Sequence, residues 1–542
     1  MEKFFNNAGP QIPKDHYTLD PLQRVNLDEL QDLIDQKRYF VLHAPRQTGK
    51  TTALYALMRH YNAGTQYRCV YVNVEPAQAL REQTDKVSIT CASRLAHAAR
   101  LHLKDGALDE ALSQWLVKAN GRVADVFMDS IRFLSQNDPQ HPDNPRPLLL
   151  LIDEIDSLIG DGLITILRQL RAGYADRPHA FAQSLILCGV RDVRDYRIHS
   201  SANKEIITGG SAFNVKVESI RLGNFSPMEM NTLYDQHTAE TGQVFTPEAR
   251  ELAWYYTEGQ PWLVNALGYE VTFKMKALRL DRSLPITAEV MREAKERLVL
   301  SRAVHLDQLI DKLKEERVRH VIAPLIRSEE HEQLHTNPDD KQYCLDLGLV
   351  VIDPLTKGLR IANAIYREVI PRELTDDTQT SLAVNQPPLL WYKKPDGTID
   401  LPKLLTAFQQ FYREHSEHWL AGMAYREAGP QLLLQAYLQR VVNGGGYIER
   451  EYGLGTGRTD LYLRYPVGEN PLQREVIEIK VVHQRQRLES VLEKGREQTR
   501  AYMDRCAATH GHLVVFDPHS GKAWDERVYC KALAADLTLW GC

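Results

Sequence analysis

Apolar positions in the first 220 residues fall in unbroken runs rather than in alternation. Residues 39–44, 69–74, 148–152 and 185–189 are such runs, rich in β-branched and aromatic side chains, and segments of helical spacing such as 52–60 and 155–170 lie between them. Strands apolar on every position are covered on both faces, so the pattern predicts a parallel α/β sheet ending near Arg221, with the Pro-rich stretch 138–147 as a loop feeding the third strand. Residues 227–299 then read as all helical, interrupted at Gly259-Gln260-Pro261, and 303–327 continues as amphipathic helices. A helix over 339–347 ending at Gly348 precedes short strands at 349–352 and 359–362 around a turn at 354–358. Weak periodicity and many Pro, Thr, Asp and Gln residues mark 374–400 as a linker. Beyond it the order is helix (404–414), helix (431–442), strand (447–452), strand (459–465), strand (475–482), helix (488–505), strand (512–516).

Length and composition bound this picture. A chain of 542 residues exceeds one hydrophobic core and is expected to fold as several domains. At 43% hydrophobic and 25% charged residues it has globular composition, with no apolar run long enough for a bilayer and no secretory leader, so a cytoplasmic protein without membrane contact is expected. Seven scattered cysteines suggest neither a disulfide framework nor a zinc site. A net charge of −5 provides no global attraction to nucleic acid, so DNA contact would need a local basic face.

The strand at 39–44 runs into Ala44-Pro45-Arg46-Gln47-Thr48-Gly49-Lys50-Thr51-Thr52, which fits the phosphate-binding pattern GxxxxGK[ST] with Ala44 in place of the first glycine. Such a loop turns backbone N–H groups around a polyphosphate at a helix N-terminus. Lys50 is expected to reach the outer phosphates and Thr51 to ligate Mg²⁺. The strand 148–152 delivers Asp153 and Glu154 at its C-terminal end, where open α/β sheets bind ligands, Asp153 to hold Mg²⁺ through water and Glu154 to polarise the attacking water. Arg191 and Arg194 are candidates for charge on the transferred phosphoryl, in cis or across a homo-oligomer, although solvated or structural arginines fit the same residues. Together with LILCGVRDVR, the break EGQPW and the helix-plus-wing that follows, these motifs resemble the AAA-like ATPases related to the STAND signalling group, over about residues 4–372. The resemblance implies an ATP-dependent switch whose helical lid and winged helix report nucleotide state. In it Gly259–Pro261 packs near the nucleotide, while a plain helix break is equally consistent with the residues.

A second constellation lies near the C-terminus. Period two puts Glu478 and Lys480 on one face of their strand, and a hairpin turning at 466–471 can bring Asp460 beside them. Two carboxylates suit Mg²⁺ or Mn²⁺, Lys480 can orient or deprotonate water, and Gln498 and Tyr502 share a helix face from which to position a phosphate. The order D…ExK then QxxxY resembles the PD-(D/E)XK nucleases in their RecB-like form, over about 401–516. That superfamily often carries another acidic residue on the preceding helix. Here that helix offers Gln431 and Gln435, with Glu427 upstream. Arg485, Arg487, Arg496, Arg500 and Arg505 border the region and would bind phosphates, although Glu489, Glu493 and Glu497 are interleaved at ion-pairing spacings.

The expected fold class is therefore α/β multidomain: a parallel-sheet P-loop ATPase with helical lid and winged helix, plus a C-terminal α/β restriction-endonuclease-like domain. The expected division is an N-terminal segment (1–35), ATPase core (36–225), lid (226–300), winged helix (301–372), linker (373–400) and nuclease-like domain (401–542). The expected function is an ATP-binding and hydrolysing switch, with ATP and Mg²⁺ as cofactors, controlling a metal-dependent nuclease on DNA. The alternative is a signalling or scaffold ATPase whose C-terminal domain binds DNA or protein without cleaving.

Overall fold

A computed structural model describes the chain apart from residues 1, 119–123, 192–196, 200–205, 209–212, 214–215, 302–308, 310, 327–336, 355, 375–391, 423–428, 444–446, 455–456, 468–469, 483–486 and 518–522. Two compact units emerge: Met1–Leu298 with Asp346–Gly348, and Val299–Leu345 with Leu349–Cys542. The expected winged-helix region thus groups mainly with the C-terminal domain.

In the first unit, β1 (Tyr39–His43), β2 (Arg68–Asn73), β3 (Leu148–Asp153), β4 (Ser184–Gly189) and β7 (Lys216–Arg221) form one sheet in the order β2-β3-β4-β1-β7, every pairing parallel. A two-stranded ribbon, β5 (Arg197–His199) and β6 (Ile206–Thr208), precedes β7 in the chain. The apolar runs divide by period two between two cores. Tyr39, Val41, Leu150 and Leu187 face one, and Phe40, Leu42, Leu149 and Ile186 face the other. Burial on both faces explains why alternation is absent.

The helix after β3 starts later than its periodicity suggests. Glu154 takes the left-handed conformation (φ 56°), a short 3₁₀ turn follows at Ile155–Ser157, and the α-helix spans Gly160–Ala172. The region expected to be a lid carries helices Pro227–Thr241, Pro247–Thr257, Pro261–Tyr269 and Ala288–Leu300. Its break at Gly259 has a steric cause: φ is +71°, and a Cβ there would lie 2.0 Å from the Phe225 carbonyl oxygen. Gln260 then caps the next helix through the Leu263 N–H at 2.6 Å.

The N-terminal segment packs on this helical region. Phe5 is fully buried against Tyr17, Tyr234 and Phe245, and Trp262 Nε1 donates to the Asn7 carbonyl at 2.7 Å. Burying one such phenylalanine contributes roughly 1.5–3 kcal/mol.

In the second unit, helices Glu316–Ile326 and Pro338–Asp346 precede an antiparallel pair, β8 (Val350–Ile352) and β9 (Leu359–Ile361), and a helix at Ala364–Leu374. A separate mixed sheet runs β10-β11-β12-β13-β15-β14, from β10 (Tyr447–Leu454), β11 (Gly457–Val467), β12 (Asn470–Val481), β13 (His510–Phe516), β14 (Tyr529–Ala534) and β15 (Leu537–Gly541). Helices Leu401–Gly422 and Gly429–Asn443 share a core with the Leu461/Ile477/Val514 face, while Leu488–Cys506 covers the opposite face. The domain begins earlier than residue 401: Tyr392 and Ile399 belong to its core, and Gln473 holds the Ile399 backbone at both N–H and C=O. All seven cysteines are free thiols. Among the described residues no helix is long and apolar enough to cross a membrane.

Candidate nucleotide and metal sites

The loop between β1 and the helix Lys50–Ala63 has the backbone a phosphate cradle needs. Gln47 (φ 60°) and Gly49 (φ 93°) are left-handed, and Gly49 also lacks room for a Cβ, which would stand 2.8 Å from Arg24 Nη1. Thr48 Oγ1 closes the turn on the Pro45 carbonyl at 2.8 Å. Lys50 is buried and donates to the Ala44 and Pro45 carbonyls at 2.9 and 3.0 Å. Ala44 is fully buried where the pattern has glycine, and its N–H extends the pairing to Gly189. Pro45, Arg46 and Gln47 form the turn of the loop, and Thr52 Oγ1 accepts the Gln11 N–H at 3.3 Å.

One strand separates β1 from β3, yet the two motifs meet. Thr51 Oγ1 donates to Asp153 Oδ2 at 2.8 Å, Tyr71 Oη donates to the same oxygen at 3.0 Å, and Asp153 Oδ1 accepts the Glu154 N–H at 3.0 Å. Glu154 lies beside it. Burial, then the charges of Asp156 and Asp153, push its carboxyl above the ordinary range, which makes it a stronger base. Its left-handed backbone costs roughly 1–3 kcal/mol, a cost that recurs at functional sites.

Arg191, expected near the phosphoryl group, forms an ion pair with Asp346 at 3.3 Å, and Asp156 holds the preceding backbone through the Val190 N–H at 3.1 Å. Arg194 lies outside the described residues. Sequence reasoning missed Arg24, whose guanidinium bonds the Thr48 and Gly223 carbonyls at 2.7 and 2.6 Å and lies 4.7 Å from the Phe225 ring centre. Burial lowers its pKa to about 10. Arg24 thereby ties the loop to the stretch 223–225 that leads into the helical region. Gly259 reaches the same stretch by accepting the Phe225 N–H at 2.8 Å.

In the second unit β11 and β12 pair through Leu461–Ile477, and the next step of that antiparallel register sets Asp460 opposite Glu478. There the ladder gives way to a side chain: Asp460 Oδ2 accepts the Ile479 N–H at 2.7 Å. Lys480 Nζ donates to Glu478 Oε1 at 2.8 Å, and Glu478 Oε2 is buried with no hydrogen-bond partner among the described residues. Burial first, and then the Asp460 charge, push the Glu478 carboxyl up to about 8. Burial opposes the Lys480 ammonium, but Glu478 and Asp460 outweigh it and its pKa is raised.

An orphaned carboxylate oxygen beside a second carboxylate fits a divalent cation, which would satisfy it and relieve the repulsion. Among the described residues no cluster of three metal-ligating side chains exists, so Asp460 and Glu478 are the acidic pair.

The helix Leu488–Cys506 closes on this face. A Cβ at Gly495 would meet Leu513 at 2.7 Å and Lys480 Cγ at 3.4 Å, and Gln498 and Tyr502 follow one and two turns on, with Tyr502 buried and acting electrostatically on Lys480. Arg487, Arg496, Arg500 and Arg505 are exposed, as are Glu489, Glu493 and Glu497, and Arg500 pairs loosely with Asp536 at 3.8 Å. Gln431 and Gln435 are buried. Arg485 and Glu427 lie outside the described residues, as do the side chains of 457–459.

No protein-family model matches the chain, and no curated protein matches it. Solved structures similar to it include a Walker-type ATPase of Pyrococcus abyssi (13% identity, 68% of this chain and 99% of that one, TM-score 0.43). The ORC2 protein of Aeropyrum pernix (16%, 66% and 95%, 0.35) and the RuvB Holliday junction branch migration motor of Thermotoga maritima (13%, 65% and 93%, 0.31) are similar at a lower score. The five-stranded parallel sheet, with its phosphate loop after β1 and its acidic end of β3, is a P-loop nucleotide-binding fold on its own geometry.

Proposed function

We propose that the chain is an ATP-binding and ATP-hydrolysing switch that controls a metal-dependent nuclease acting on DNA. The observation that carries the reading is the meeting of Asp460, Glu478 and Lys480 on one covered sheet face, in a chain whose Thr51 and Asp153 already stand 2.8 Å apart.

At the first site the loop N–H groups and Lys50 hold the phosphates, Thr51 and Asp153 hold Mg²⁺, and Glu154 takes the proton of the attacking water. Mg²⁺ bound there supplies charge neutralisation on the phosphates. Lys50 spends two of its three N–H donors on the Ala44 and Pro45 carbonyls, which aims it from the loop and leaves one for the phosphate, in a loop that Arg24 holds at the Thr48 carbonyl. Arg191 would contribute positive charge after release from Asp346, in its own subunit or a neighbouring one.

At the second site Asp460 and Glu478 would hold Mg²⁺ or Mn²⁺, which supplies an activated water and neutralises charge on the scissile phosphate. Lys480 orients that water. Gln498 and Tyr502 position the phosphate, and the exposed arginines of the same helix bind flanking phosphates. The helix Pro338–Asp346 with β8 and β9 is read as a winged helix that contacts duplex DNA.

The test is cleavage of plasmid and single-stranded DNA with Mg²⁺ or Mn²⁺ and ATP, comparing wild type with Asp460→Ala and Lys480→Ala. Each variant is expected to lose cleavage by about 100-fold or more. Equal cutting by all three proteins would refute the nuclease. DNA binding without cutting by any of them would favour a non-cleaving module in a scaffold ATPase.

A further inference from the structure

We propose that Tyr71 is a positioning residue that keeps Asp153 aimed at the nucleotide-bound metal and thereby sets the magnesium requirement of the first site. The inference rests on the P-loop reading above.

Asp153 is fully buried, and its Oδ2 accepts two hydroxyl bonds, from Thr51 and from Tyr71. These donors are not equivalent. A threonine hydroxyl that becomes a metal ligand re-aims its oxygen at the ion, so its bond to Asp153 depends on where the ion sits. Tyr71 is not itself a proposed metal ligand, so its bond to Asp153 does not depend on where the ion sits, and the Asn73 side chain is a further neighbour of its phenol. Tyr71 lies on β2 in register with Leu151, two positions before the Asn73–Asp153 pair, and Tyr71 and Asp153 point to the same sheet face. Its phenol therefore runs along the sheet to the carboxylate. The ring lies against Tyr55 of the helix Lys50–Ala63, with centroids 4.4 Å apart, and the side chain is almost wholly buried. An unperturbed phenol is already protonated at neutral pH and so is a donor to the carboxylate.

Tyr71 thus touches the helix that begins at Lys50 and the carboxylate that would hold the metal, and its side-chain bond goes to that carboxylate rather than to the phosphate loop. Its loss should affect the metal and spare the polyphosphate.

ATP binding is measured in EDTA, and turnover is measured against Mg²⁺ concentration, for wild type, Tyr71→Phe and the control Tyr55→Phe. Tyr71→Phe keeps the ring and its packing, which thermal unfolding verifies. A hydrogen bond to a charged group corresponds to about a tenfold effect. Tyr71→Phe is therefore expected to bind ATP in EDTA within about twofold of wild type, to need about tenfold more Mg²⁺ for half-maximal turnover, and to recover its rate at saturating Mg²⁺. Tyr55→Phe should keep the wild-type magnesium demand. An unchanged demand in Tyr71→Phe would overturn the inference, as would an equal loss of affinity with and without Mg²⁺, which marks a packing role. A wild-type protein that binds no ATP would instead overturn the P-loop reading.

Discussion

The two sites handle a buried carboxylate beside a lysine in opposite ways. In the nucleotide site the lysine stays off the carboxylate: Lys50 rests on loop carbonyls, and Asp153 is satisfied by two hydroxyls and a backbone N–H. In the second site Lys480 bonds Glu478 directly, and two carboxylates share one face although the protonation of one must rise to permit it. The difference fits the charge each site is proposed to take. A cradle for a polyanion needs a cation held only by weak neutral acceptors, which leave its charge for the phosphate. A seat for a divalent cation would need two acidic side chains together, and before a cation arrives the raised Glu478 proton and the Lys480 ammonium make that pair tolerable.

The largest expected effect tests the first half of this contrast. Lys50→Ala should weaken ATP binding by about 100-fold or more in equilibrium titration, with metal binding at Asp460 and Glu478 unchanged. Loss at both sites would mean that the lysine supports the fold rather than the phosphates.

A smaller effect sharpens the second half through pH. Glu478 in the native protein keeps its proton up to about 8, whereas its ordinary value is 4.5. Below pH 8 an entering cation must displace that proton, so metal affinity should rise about tenfold per pH unit and level off above it. The same shift gives the sign for stability: between 4.5 and about 8 the native state holds a proton that the unfolded chain has lost, so metal-free stability should fall as pH rises through that window. Glu478→Gln should flatten both curves, measured by calorimetry and thermal unfolding. A wild-type metal affinity independent of pH from 5 to 8 would break the comparison.

Much of this was legible in the sequence, for physical reasons. Strands buried on both faces leave unbroken apolar runs, which is why β1 to β4 are visible, and Gly49, Lys50, Thr51 and Asp153 carry chemistry that tolerates few other residues. The D…ExK spacing anticipates the meeting of Asp460, Glu478 and Lys480 because period two and a hairpin leave little choice. β7 is less visible, since Lys216, Glu218, Ser219 and Arg221 interrupt its apolar pattern, as an edge strand permits. β14 and β15 are short and joined by a tight hairpin, and β15 is read as a strand only once β13 is there to pair with it.

Arg24, Tyr71 and Phe5 were invisible for another reason. Each acts through contacts distant in sequence, among them Thr48, Asp153 and Tyr234 respectively, and such contacts leave no periodic trace. The buried set Glu475, His512 and Trp540, linked at 2.8 and 3.2 Å, belongs to the same class.

Control of the proposed metal site by the nucleotide site can be read from DNA cleavage by wild type and Lys50→Ala, each with and without ATP at fixed Mn²⁺. ATP is expected to change the wild-type rate several-fold, while Lys50→Ala cleaves at one rate whether ATP is present or absent. Identical rates in wild type with and without ATP, under conditions where ATP is bound, would contradict it.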